Sequence, residues 1–296
     1  MKIIAPISII DSVLVSSTVP ETDYPAYDPK YSYMLGMYVI VTTGVHRVYQ
    51  CLAGGSGNPV TDATKWLDCG PTNRWRMHDQ SLQSQTVNPG NITNTYQIPG
   101  RCNSLAALNI DAASMTVTMT DVTDGVVYIK TIPLVSYVGI NDWYSWFFEP
   151  IVRMSDIVLT DMPSYGNASL TVTFLSPAGN ASVGGLVLGN CKTLGKTQYG
   201  MKLGITSFST KVLDPFGNYT IVKRGYRKTG DFPVLVDSNY VDQLHRLLIG
   251  YRDTPIVYIG SGKFQSDLIY GFYKDFSTTV AYPTKSLHTI SVEGLT

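Results

Sequence analysis

Short runs in which apolar and polar residues alternate with a period of two dominate the chain. Ser114-Met-Thr-Val-Thr-Met-Thr120, Val126-Val-Tyr-Ile-Lys-Thr131 and Ser169-Leu-Thr-Val-Thr-Phe-Leu175 each direct their large side chains to one face of an extended strand. Turn residues punctuate these runs about every eight to twelve residues, the spacing of sandwiches and barrels. Asp124-Gly125 lies between the first two runs and predicts a two-residue hairpin turn of the I′ kind, so residues 114–131 are expected to form a hairpin. Only one segment changes period. Asp237-Ser238 offers a helix cap, and Val241, Leu244, Leu247 and Leu248 share a helical face before Gly250, which predicts a helix near residues 238–249. His245 lies at the border of that apolar stripe, where it reads as a boundary residue.

The expected fold is therefore mainly β, in four parts. Residues 1–20 form an extended N-terminal arm, in which Ile7-Ser-Ile9 and Val13-Leu-Val15 alternate as strands able to pair with another element. Residues 21–75 form a small β module and residues 76–190 a β-sandwich. Residues 191–296 form a mixed β block with the single helix. The apolar run after Met1 is interrupted by Pro6 and Asp11, so the N-terminus reads as mature chain made in the cytoplasm and not as a signal peptide.

Composition narrows the classes of function. Hydrophobic residues make up 44% of the 296, enough to fill real cores, whereas only 15% are charged, below the ~25% of typical soluble domains. The 22 basic and 22 acidic residues cancel, leaving little repulsion between copies of the chain or between it and its neighbours. Nucleic-acid binding needs a basic surplus; the one basic cluster, Lys223-Arg224 with Arg227-Lys228, reads as a solvated strand edge. No apolar run approaches the ~20 residues of a membrane-spanning helix.

The usual catalytic constellations are missing from the sequence. There is no Gly-x-Ser-x-Gly elbow, no His-Glu-x-x-His helix and no Walker loop, and Gly184-Gly185 with Gly189 sits between strand runs instead of opening a helix. Cys51, Cys69, Cys102 and Cys191 form no Cys-x-x-Cys pair and lie far from the four histidines, so no metal and no other cofactor is expected. Cys51 and Cys69 flank the Asn58-Pro59 loop; they read as reduced, small buried hydrophobes. Asp142, Glu149 and Asp156 surround the run Trp143-Tyr-Ser-Trp-Phe-Phe148. Two acids about 5 to 10 Å apart beside aromatics would suit glycan hydrolysis. The same run also suits a buried seam between modules, and Trp143, Trp146 and Phe148 suit an assembly contact. Glutamate occurs only at positions 21, 149 and 293, which weighs against a furnished glycosidase cleft. Trp75, His78 and Tyr96 are the loop residues a sugar site in the sandwich could use; Trp75 reads more simply as a plug between the first two blocks.

Two resemblances add to this reading. Tyr31-Ser-Tyr-Met-Leu-Gly36, Gly44-Val-His-Arg-Val-Tyr49-Gln-Cys51, Asn58-Pro59 and Trp66 resemble the succession of the type-3 chitin-binding module of carbohydrate-binding families 5 and 12. Tyr31, Tyr49 and Trp66 would be its vestigial sugar-module residues. Where that family places its gripping aromatics this chain has Leu52-Ala-Gly-Gly-Ser-Gly57, with no ring to stack on a pyranose. Thr72-Asn-Arg-Trp-Arg-Met-His-Asp79, Cys102-Asn-Ser-Leu-Ala-Ala-Leu-Asn-Ile110, Gly195-Lys-Thr-Gln-Tyr-Gly200, Arg252-Asp-Thr-Pro255, Tyr270-Gly-Phe-Tyr-Lys-Asp-Phe276 and Ile290-Ser-Val-Glu-Gly-Leu295 resemble tailed-bacteriophage structural proteins with a galactose-binding-like jelly roll. That likeness implies a non-enzymatic virion protein of the phage tail, made in the host cytoplasm, in a sheath, collar or baseplate-like layer. Its partners would be copies of itself in a ring and other tail proteins, through Ile7, Ile9, Val13 and Val15 of the arm and then Trp143, Trp146 and Phe148. The alternative it leaves open is a receptor-binding or glycan-binding adhesin at the tail tip, with a host-surface glycan as partner.

Overall fold

The structure, a computed structural model, describes residues 1–136, 140–150, 152–213, 216–280 and 282–295, with Ala178 described by its backbone alone. The fold is mainly β. In chain order, β1 (Lys2–Pro6) and β2 (Leu14–Ser17) precede a small sheet of β3 (Tyr38–Val41), β4 (Arg47–Cys51) and β5 (Trp66–Pro71). There follow β6 (Thr86–Gln97), β7 (Ser104–Asp111), β8 (Ser114–Asp121), β9 (Gly125–Pro133), the short β10 (Val135–Ser136) and β11 (Val152–Arg153) around helix α1 (Trp143–Phe148), then β12 (Ile157–Leu159) and the long β13 (Ser169–Thr193). The last part holds β14 (Lys196–Thr197), β15 (Lys202–Ser207), β16 (Thr210–Leu213), β17 (Tyr219–Val222), β18 (Tyr226–Asp237), α2 (Val241–Gly250), β19 (Ile256–Ile259), β20 (Leu268–Thr279) and β21 (Lys285–Gly294).

The 25-residue β13 organises the molecule. Its first stretch, Ser169–Leu175, lies between β8 and β6; after an irregularity between Leu175 and Asn180 its second stretch pairs with β7 and its end with β1. One strand thus continues through residue 190, from the sandwich to its pairing with β1. Alternation directs neighbouring residues into two cores on opposite faces of the sheet. Ile92, Tyr96, Leu105, Ala107, Met115, Val117, Leu170, Val172 and Phe174 face one core, while Ala106 and Leu108, the intervening residues of β7, face a second with Ile4, Val257 and Tyr270. A third lies between the β1-β19-β20-β21-β18 run and α2, which contributes Leu244 and Leu248 as its heptad-like spacing predicts. Gly184, Gly185 and Gly189 of β13 are sites of close approach. A Cβ at Gly189 would lie 2.0 Å from the Ala5 carbonyl oxygen, and one at Gly184 would lie 2.3 Å from that of Leu82.

Three expectations need correction. The N-terminal segment is not an extended arm. β1 is hydrogen-bonded on both edges, to β13 and to β19, with Ile3 and Ile4 fully buried, and the Ile7 amide continues the pairing to the Leu188 carbonyl. Val13 is buried in the sandwich core, Ile7 and Ile9 pack against it, and only Val15, on edge strand β2, stays 64% exposed. Alternation reports that a strand pairs, but not with which chain. Second, β8 and β9 form the expected hairpin, but its loop is longer than two residues: Asp121 pairs with Gly125 across Val122-Thr-Asp124. The Asp121 carboxylate accepts from the Thr123 and Asp124 amides, and Gly125 takes φ +73°. That is a turn closed by a glycine bulge. Third, Tyr96 and His78 are not loop residues. Tyr96 is fully buried on β6, and His78 ends a 3-10 turn with its Nε2 3.3 Å from the Tyr96 hydroxyl.

Residues 21–75 build a core of their own from Tyr33, Val39, Cys51 and Trp66. The Tyr27 and Tyr33 rings stack at 5.8 Å, and both meet Trp66 edge-on. The Tyr27 hydroxyl and the Trp66 indole N–H both donate to the Asn58 carbonyl, at 2.7 and 3.1 Å, which fixes the Asn-Pro loop. All four cysteines are free; Cys51 is buried as expected, whereas Cys69 is exposed.

Candidate assembly surfaces

The largest projecting element is a β-hairpin that the sequence reading did not single out. β15 pairs with the first half of β18 from Lys202↔Asp231 to Ser207↔Tyr226, and beyond this foot β16 and β17 continue as a separate two-stranded sheet. The connection between β16 and β17 falls partly outside the described residues; Gly217 takes φ +85°, as a tight return requires. Leu213 stands opposite Tyr219 on one face and Val212 opposite Thr220 on the other, so apolar groups line both faces. Ile205, Val212, Leu213, Tyr219 and Ile221 are all exposed, and Phe216 is 90% exposed. A two-stranded ribbon gains little stability in water, and apolar side chains on both its faces have no core to enter. The signal was present in the alternation of Ile205, Val212 and Ile221; nothing in one sequence said that these strands lack a covering layer.

The same element concentrates positive charge. Residues 202–228 carry six Lys or Arg against the single Asp214, so the remainder of this neutral chain is correspondingly acidic. Two of the six are used internally: Arg227 pairs with Glu293 at 2.9 Å while its guanidinium lies over the Phe208 ring, and Lys228 pairs with Asp156. Where the ribbon returns to the body, Lys223, Arg224 and Lys228 rim a cleft of about 520 Å³ floored by Leu82, Leu108 and Tyr270. Burial pushes the Tyr270 hydroxyl up to about 12, so it is a neutral wall of that cleft.

The aromatic run forms a second projection and is not the buried seam that composition suggested. β10 and β11 pair at its base, and α1 carries the aromatics outward. Trp143 is 79% exposed, and Tyr144, Trp146, Phe147 and Phe148 are exposed as well. Trp143 meets Phe147 and Tyr144 meets Phe148, the i, i+4 pairs of a single helical turn. Six residues and no buried side chain make this a knob, with its exposed rings facing solvent.

Two of the acids near it, Asp142 and Asp156, are engaged in hydrogen bonds. The Asp142 carboxylate caps α1 by accepting from the Ser145 amide and hydroxyl, at 2.7 and 2.8 Å, and these bonds, the amide's first, hold it below the usual carboxylate range. Asp156 accepts from the Asn109 amide and from Lys228.

The vestigial sugar-module residues divide by role. Trp66 is core, Tyr49 packs against that core from its edge, and Tyr31 is half exposed with its ring tilted on Tyr33. At Leu52–Gly57 the loop instead makes backbone bonds, Tyr33 exchanging both with Gly55. The module joins the body through a polar joint. The His46 ring stacks on Trp75 at 4.2 Å, its Nε2 meets the Asp11 carboxylate, and its Nδ1 lies 2.9 Å from Glu21. Glu21, itself largely buried, also accepts from the Thr72 hydroxyl at 2.7 Å and faces Arg74. Trp75 meets His78 edge-on, which links the joint to the sandwich core. Trp75 thus sits where the plug between blocks was expected.

Among the described residues no group of histidines, cysteines and acids could hold a metal ion, and no helix is long and apolar enough to cross a membrane. The chain matches no family model and no curated protein.

Proposed function

We propose that this chain is a structural protein of a tailed-bacteriophage virion, one unit of a sheath, collar or baseplate-like layer, and that it acts by binding other proteins. The observation that carries the reading is the pair of projections, the 202–226 ribbon and the α1 knob. Both are rich in exposed apolar side chains. Weak overall charge supports it, since a neutral chain packs against copies of itself without a repulsive penalty. The phage-like succession of motifs along residues 72–295 supplies the setting. The mechanism is burial of apolar surface with strand-edge pairing, without catalysis or a cofactor. The contacts expected from the N-terminal segment pass to the ribbon, while Trp143, Trp146 and Phe148 keep the role proposed for them.

The exposed aromatic knob also favours a second reading, a tail-tip adhesin that meets a host-surface glycan, because aromatic faces stack on sugar rings. Incubation of the purified protein with whole host cells separates the two. A wall component stays in the supernatant whether α1 is intact or carries Trp143→Ala with Trp146→Ala. Depletion onto cells that those substitutions abolish would replace the wall reading by the adhesin.

A further inference from the structure

We propose that the β16–β17 ribbon of one copy adds to the open edge of β9 in the next copy of this same chain, joining neighbours by a sheet that runs across the contact. The inference rests on the assembly role proposed above and names its partner.

Both members of the contact are on the molecule. Among the described residues β16 and β17 pair only with each other, and β9 pairs only with β8, so each presents an open edge of backbone N–H and C=O groups. Such edges are usually blunted by charge, proline or shortness. β9 has little of this protection. It runs nine residues, its Pro133 stands at the far end, and Lys130 is drawn aside by Asp161 at 2.7 Å. Val126 and Ile129 are exposed along it, and Val122 is exposed in the preceding turn. Strand addition would supply main-chain bonds to both partners and cover the apolar residues of the ribbon.

Charge selects a second copy over an unrelated protein. The ribbon and its foot are basic, whereas the turn into β9 carries Asp121 and Asp124, and Lys130, the charged residue of β9 itself, is offset by Asp161. Opposite signs thus stand on the two edges of one neutral chain, and copies attract each other when unlike edges meet. Donor and acceptor are different surfaces, so the contact is head-to-tail and gives a ring where its rotation closes.

Sedimentation velocity of the full-length protein tests this. Wild type is expected to self-associate with rising concentration. Lys211→Glu with Arg224→Glu on the ribbon, and separately Val122→Lys with Asp124→Lys at the β9 turn, should each weaken association by about tenfold or more. These four residues leave the internal pairs of Arg227 and Lys228 and the turn-holding Asp121 untouched. An equimolar mixture of the two variants restores opposite charges at every contact and should regain association. A variant in which residues 208–225 are replaced by a short turn joining β15 to β18 should be monomeric with an unchanged far-ultraviolet spectrum. The inference is overturned by a wild type that stays monomeric, by a ribbon-less variant that assembles as wild type does, or by a mixture that fails to recover. Location of the chain in virions is a separate reading: a chain in the tail wall that is monomeric alone overturns this contact and leaves the assembly role standing.

Discussion

His78 shows how one residue imprints a pH dependence on the fold. Its ring is buried between Trp75 and Tyr96, and burial alone pulls it down to about 3 from its ordinary 6.5. The folded state therefore keeps the ring neutral while the unfolded chain binds a proton below pH 6.5. By linkage, stability is complete above that value and is lost as pH falls. Between pH 7 and pH 5 this one group should cost ~2 kcal/mol. His288, also lowered by burial and then by His245, acts in the same direction. Urea unfolding at the two pH values should show His78→Gln losing less stability on acidification than wild type; equal losses would contradict the neutral buried ring. At the joint, Glu21 serves His46, Thr72 and Arg74 from a largely buried position. Glu21→Ala leaves those partners unsatisfied and should cost about 3 kcal/mol. Limited proteolysis should then cut between residues 21 and 75 sooner than in wild type, with the sandwich still resistant.

At the scale of elements, local pattern was enough to find strands, the β8–β9 hairpin and α2. The periods of two and 3.6 are set by which side chains reach a core, and that requirement is written in consecutive residues. Partners were not legible. Val13 and Ile3 have the same alternation whether they pair within the chain or outside it, and only the structure places β1 between β13 and β19. Trp143–Phe148 has the composition of a core and the position of a knob, because burial depends on what lies opposite. Gly184 and Gly189 of β13 admit the neighbouring backbone. Gly189→Ala would drive its methyl into the Ala5 carbonyl and should destabilise by about 3 kcal/mol, or displace β1, whereas the exposed Gly179 accepts alanine with little change. Thermal melts of the two variants side by side check this, and equal midpoints would show that β1 is not packed against β13.

The whole molecule is a neutral, weakly charged β protein in which β13 contributes to two cores, β1 joins the second of these to a third, and two exposed apolar elements lie outside them. The cores account for the burial of apolar side chains, and the proposed assembly role rests on the exposed projections. The ribbon is therefore the segment on which the assembly account depends, and the open β9 edge is its counterpart. Electron cryomicroscopy of virions carrying the chain tests that account most directly. It predicts a closed ring of copies around the tail, with residues 202–226 of each copy lying along Gly125–Pro133 of the next. Density only at distal tail tips, with the ribbon free and the α1 knob facing outward, would contradict it.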